Sequence, residues 1–175
     1  MRGTSYAGLR PKQIFNPERV ESKFMPQSLS NILVHAVFST KDRRPFIRDK
    51  GLRGELHKYI GGILNHLDCY PLIVSGVEDH VHLLSTLSRT CEPAEMVKEV
   101  KRGSSLWIKQ RDVKLQDFAW QSGYGIFSIG VSQIEPVSNY IAGQEEHHRT
   151  VSFQDELRKL LREHKIEFDE RYVWD

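Results

Sequence analysis

The chain has 175 residues, of which 39% are hydrophobic and 10% aromatic, and a formal net charge of +2, which is the material for one domain with a real core and excludes a multi-domain machine. Two cysteines, Cys69 and Cys91, with no Cys-x-x-Cys spacing exclude a disulfide framework and give no zinc or redox signature. No window approaches the roughly 18 consecutive apolar residues of a membrane span, and no apolar leader opens the chain, so a cytoplasmic protein without a membrane partner is expected.

Residues 1–27 are polar, hold Pro11, Pro17 and Pro26, and read as a loosely ordered basic extension. The β-branched, apolar run from Asn31 to Phe38 predicts a buried central strand. Residues 41–58 then sum to +4, and inside that stretch Leu52, Leu56, Ile60, Ile63, Leu64 and Leu67 recur at helical spacing. Two strands follow, Tyr70 to Val77 and His80 to Leu87, joined at Glu78-Asp79 as a hairpin. A second helix is predicted from Pro93 to about Gln110, with Met96, Val100 and Trp107 inward, in a neighbourhood (98–114) that again sums to +4. Alternating glycines and aromatics between Phe118 and Val131 suit one or two bent strands. A helix from about Glu135 to His148 and a short amphipathic helix over residues 152–164 close the chain, and from Glu145 onward nine acids outnumber six bases. The order strand, helix, strand, strand, helix, strand, helix predicts a ferredoxin-like, RRM-like α+β fold: an antiparallel sheet with helices on one face and a C-terminal tyrosine-bearing helix. The division expected is 1–27 as extension, 28–150 as the functional domain, and 151–175 as helix and acidic tail.

Two local patterns can carry chemistry. In His80-Val81-His82 the two-residue period of a strand puts both imidazoles on one face, where two rings can grip one cation. Tyr140 and Gln144 stand four apart on a predicted helix, hence on one side of it; taken alone they read as a core-edge tyrosine and a solvent-facing glutamine. Asp79 and Glu78 read as turn residues. His147, one turn past Gln144, is placed within reach of the same point, and His148 is expected to point elsewhere. Trp107 and Trp120 are read as core.

Taken together, His80-Val81-His82 and Tyr140-Ile141-Ala142-Gly143-Gln144, with Phe127-Ser128-Ile129-Gly130 and Lys41-Asp42-Arg43-Arg44 in matching places, resemble the single-tyrosine HUH transposases of the IS200/IS605 class, REP-associated relatives included. The resemblance runs from Ser28 to about Arg149. It implies a strand transferase that cuts and rejoins single-stranded DNA: Tyr140 attacks, a phosphotyrosine forms on the 5′ side, and a free 3′-OH later reseals the linkage. It further implies His80, His82 and Gln144 as ligands of Mg²⁺ or Mn²⁺, hairpin-containing DNA ends as partner, a homodimer, and no nucleotide cofactor. A bound cation reduces the repulsion between an anionic nucleophile and a phosphodiester, and a mixed nitrogen and oxygen donor set leaves positions open for phosphate oxygens. Lys41, Arg43, Arg44, Lys98, Lys101 and Arg102 are the expected DNA-binding residues. Six phosphate contacts would give a slope of log affinity on log salt of about −4.

Three rivals are weaker. A barrel hydrolase needs about 250 residues. An RRM-like binding module stacks bases on sheet aromatics, where this chain offers histidines. A replication initiator or relaxase fits poorly with a short chain whose tyrosine follows its histidines.

Overall fold

The computed structural model describes residues 29–174, so the basic N-terminal extension lies outside the described residues. Four strands form one antiparallel sheet: β1 (Leu33–Ser39), β2 (Pro71–Gly76), β3 (His80–Thr86) and β4 (Gly125–Ile129), in the order β2-β3-β1-β4. β1 is buried along its whole length because it lies inside the sheet with helices on both faces, which is why its sequence is continuously apolar. The bent region before β4 contributes one isolated bridge, Thr40 to Trp120, in place of a second strand.

Helix α1 (Lys50–His66) starts at Asp49, whose side chain accepts from Leu52 N at 2.7 Å. Helix α2 (Pro93–Arg111) starts with proline in its first turn, where the missing N–H costs nothing. Both pack on the sheet face formed by Val34, Ala36, Phe38, Val81 and Leu83, closing the main core with Leu56, Ile60, Leu64, Met96, Val100 and Ile108. Phe118 and Trp120 extend it; the Trp120 indole N–H donates to Ser104 Oγ at 2.9 Å, which settles its one polar atom.

The opposite face carries the rest of the chain. α3 (Ile134–Ala142) and α4 (Gln144–His147) replace the single predicted helix 135–148, broken at Gly143, the residue with the weakest hold on helical geometry after proline. α5 (Phe153–Glu163) is capped by Ser152 and buries Phe153, Leu157, Leu160 and Leu161 against Val37 and Phe127. Strand parity fixes what lies between sheet and helices. With Val34, Ala36 and Phe38 turned to the main core, His35 and Val37 face α3–α5, and on β3 His80 and His82 do the same. The β2–β3 turn is pinned from three sides: Val77 N donates to His80 O, Thr40 N to Asp79 O and Ile47 N to Glu78 O. No helix of the described residues is long and apolar enough to cross a membrane.

Candidate active site

His80 and His82 are fully buried side by side, ring centroids 5.2 Å apart. Each has one ring nitrogen engaged sideways: His80 Nδ1 with Asp79 Oδ1 at 2.6 Å, and His82 Nδ1 with His35 Nε2 at 3.0 Å. Held by Nδ1, a neutral imidazole presents its Nε2 lone pair forward. His80 Nε2 faces Gln144 Oε1 at 3.3 Å, and Gln144 is itself wholly buried. His82 Nε2 is a buried nitrogen without a hydrogen-bond partner. Asp79 therefore does more than shape a turn, and His35 joins the site from β1.

Tyr140 comes from α3 of the same chain, its ring 5.9 Å from that of His82 and 6.3 Å from that of His35. Its hydroxyl donates to Glu156 Oε1. The structure thus brings together all four residues that sequence singled out here, Tyr140, His80, His82 and Gln144.

Beyond His35 it adds two that sequence left out of the site. Glu156, on α5, is 2% exposed and reaches into the middle of the cluster. Its Oε1 also accepts from Gln144 Nε2 at 3.0 Å, and its Oε2 lies 3.1 Å from His148 Nε2, 3.2 Å from His82 Nε2 and 3.8 Å from His80 Nε2. His148, expected to point away, faces this carboxylate, with Nδ1 2.7 Å from the Val151 carbonyl; His147 stays outside at 3.5 Å and unbonded. The reason is the spacing. His148 is four residues past Gln144, and His148 N donates to Gln144 O at 3.0 Å through the tight turn, so Tyr140, Gln144 and His148 line one side of the chain.

Burial sets the charges. It lowers the imidazole of His82 to about 4 and that of His35 to about 3, so both are neutral. Burial alone would raise the Glu156 carboxyl, but His148, His82 and Tyr140 outweigh it and hold it below the usual carboxylate range. Burial, then the charge of Glu156, push the Tyr140 phenol well above its usual value. His148 ends raised, because its bonds to Glu156 and Val151 outweigh its burial.

These shifts predict acid lability. An unfolded imidazole titrates near 6.5, so between pH 6.5 and about 4 the unfolded chain takes up protons that folded His35 and His82 refuse. Their contribution is complete above pH 6.5 and lost on acidification; His57, lowered to about 4 by burial, adds to it and His148 opposes it in part. In metal-free buffer a net loss of about 3–5 kcal/mol is expected between pH 7.5 and 5, read as a fall of about 8–15 °C in melting temperature. An unchanged melting temperature would contradict the neutral, buried rings.

The basic residues divide. Arg43, Arg48, Lys50, Arg53 and Arg149 line a cleft of about 580 Å³ that His148 also borders. Lys41 is exposed on the turn after β1, and Arg44 lies over Phe46 and pairs with Asp117 at 2.7 Å. Lys98, Lys101 and Arg102 sit on α2, across the sheet from the histidines. Lys98 pairs with Glu95 and Arg102 with Glu99. Lys101 is half-buried and donates to the carbonyls of Gln121, Ser122 and Gly123 at 2.6–3.1 Å. All its protons are spent on that loop, a structural task unlike the phosphate contact expected of it. Lys101→Met should therefore cost about 1–3 kcal/mol in urea unfolding, whereas Arg102→Ala should stay within about 0.5 kcal/mol.

The donor set fits a divalent cation: converging imidazole nitrogens and a carboxylate, an amide oxygen set against His80 Nε2, and an orphaned buried nitrogen on His82. The sequence matches the family model of IS200-like transposases over residues 28–144. No curated protein gives a significant match. Among solved structures, a protein from Deinococcus radiodurans R1 assigned as a transposase aligns with a TM-score of 0.56 at 19% identity, covering 70% of this chain and 97% of that one. A REP-associated tyrosine transposase bound to a REP hairpin aligns with a TM-score of 0.53 at 14% identity, covering 75% of this chain and 76% of its own. At such identities these two likenesses speak for the fold.

Proposed function

Because this chain belongs to the IS200-like transposase family, we propose that it cuts and rejoins single-stranded DNA through a covalent bond to Tyr140, with a divalent cation held by His80, His82 and Gln144. The observation that carries this reading is the convergence within one chain of the Tyr140 phenol and the two imidazoles on one sheet face.

The chemistry balances without a nucleotide. The Tyr140 oxygen forms a bond to phosphorus as the bond from phosphorus to the 3′ oxygen breaks; that oxygen takes up a proton, and the 5′ side stays attached as a phosphotyrosine. The 3′-OH reverses the exchange, so bond energy is conserved. Glu156 Oε1 is the acceptor already bonded to the phenol proton. Mg²⁺ or Mn²⁺ bound there would polarise the phosphoryl oxygens and offset the charge of an ionised phenol. Asp79 and His35 orient the imidazoles by their Nδ1 atoms, and a fixed ring keeps its lone pair aimed without further ordering cost. In the adjoining cleft, which Glu78, Asp79 and Glu145 also line and where Lys50 pairs with Glu145 and Arg149 with Glu146, Arg43 and Arg48 supply positive charge, the sequence-independent attraction that a DNA backbone needs.

The DNA substrate is a hairpin-containing single strand, such as the REP hairpin bound by the structural neighbour, and the working form is a homodimer. The test is to incubate the protein with labelled single-stranded oligonucleotides from the flanks of its own gene, with and without Mg²⁺ or Mn²⁺. A metal-dependent adduct that survives denaturing electrophoresis is expected. Folded protein that binds the strands but forms no adduct with any flank would instead be an RRM-like binding module.

A further inference from the structure

We infer that Glu156 and His148, both beyond the segment shared with the family, are themselves ligands of the cation, making a three-imidazole, one-carboxylate centre that prefers Mn²⁺ to Mg²⁺. This rests on the cation site proposed above and extends its ligand set into the C-terminal helix.

Three observations converge. The ligating atoms of His80, His82, His148 and Glu156 all lie within 4.8 Å of one another. Donor atoms bound at about 2.0–2.2 Å to one small ion stand about 3.0–3.5 Å apart, and Glu156 Oε2 meets His148 and His82 Nε2 at 3.1 and 3.2 Å. Secondly, all three rings are held by Nδ1, each by a different partner: Asp79, His35 and the Val151 carbonyl. Outer-sphere bonds of that kind fix which nitrogen a metal-binding histidine offers, and here it is Nε2 each time. Thirdly, the two atoms of the carboxylate divide their work. Oε1 bonds the Tyr140 hydroxyl and the Gln144 amide, while Oε2 faces the imidazoles of His148 and His82, its 3.2 Å contact with His82 Nε2 lacking hydrogen-bond geometry. Atoms that crowd together yet leave a buried nitrogen unbonded are placed as ligands are, about a shared centre. Glu156 then links cation and nucleophile through one carboxylate. Three imidazoles favour a softer transition ion over Mg²⁺, which takes oxygen ligands.

The test uses the full chain without DNA. Free Mn²⁺ is followed by EPR during titration, with Mg²⁺ as competitor, for the wild type and for Glu156→Gln, His148→Ala and His82→Ala; melting without metal reports folding. Glu156→Gln should weaken Mn²⁺ binding about 100-fold and His148→Ala about 10-fold, and Mg²⁺ should displace Mn²⁺ only in large excess. Should Glu156→Gln fail to fold, pulsed EPR of the Mn²⁺-loaded wild type decides: three imidazole nitrogen couplings support the centre, and two overturn it. Loss of Mn²⁺ binding in His82→Ala with unchanged or tighter binding in folded Glu156→Gln would show Glu156 to be an occupant of the site, ending this inference while leaving the two-histidine reading intact. A wild type that binds no Mn²⁺ would end both.

Discussion

Replacing Tyr140 by phenylalanine should abolish the covalent DNA adduct, a loss of about 10⁴-fold or more in cleavage, because it removes the hydroxyl that is bonded to Glu156 beside the histidines. The fold should survive. The ring stays in place against His35, His82 and His147; only its hydroxyl bond to Glu156 goes, and Gln144 and His148 still bond that carboxylate. A cost of about 1–2 kcal/mol should appear as a melting temperature lower by a few degrees. DNA retention in a gel shift should be near that of the parent, since the cleft arginines and lysine are untouched. An adduct formed by the phenylalanine variant at the parental rate would assign the nucleophile elsewhere and remove the basis of the mechanism.

Gly76→Ala should be the most damaging small substitution outside the cluster. A methyl group at Gly76 would overlap the carbonyl oxygen of His80 and come within 2.8 Å of Val81 Cα. Both obstacles are backbone, so no side-chain rotation relieves them, and the turn cannot back away because Thr40, Ile47 and Val77 all donate to it. A loss of about 3–5 kcal/mol is expected, the range reserved for a named structural failure, measured by urea unfolding or, if that fraction is too small, by soluble yield. His80 and Asp79 would be displaced with the turn, so any folded fraction should bind metal poorly. A melting temperature within two or three degrees of the parent would mean that the hairpin is looser than described.

The contrast between what sequence conveys and what it withholds has a simple physical origin. His80 and His82 were legible as a pair on one face because strand parity acts over two residues, whereas Tyr140 and Gln144, four apart on one side of a helix, took their roles only from the family resemblance. The order of elements was legible for the same local reason, and with it the α+β class. His35 was not, since nothing in the run from Asn31 to Phe38 says that β1 lies beside β3; that pairing is a property of the assembled sheet. Glu156 was not singled out in the sequence, although it sits beside Leu157 on the stripe that includes Phe153 and Leu160. An acid on the apolar side of a helix was the available signal, meaningful only once the opposing face is known to hold imidazoles. Lys101 misled in the reverse direction: counted among exposed cations by charge alone, it lies beneath a loop whose carbonyls it satisfies.

Among the described residues Glu156 is the one buried carboxylate, and it arrives on the last helix, twelve positions after the recognisable homology stops. Shortening the polypeptide to that homology would keep every hallmark by which such a protein is detected and discard the negative charge around which its hallmarks are arranged. The stretch that can be recognised and the buried cluster it feeds have different borders, and whoever trims, fuses or transplants this module and wants the cluster whole has to cut after α5.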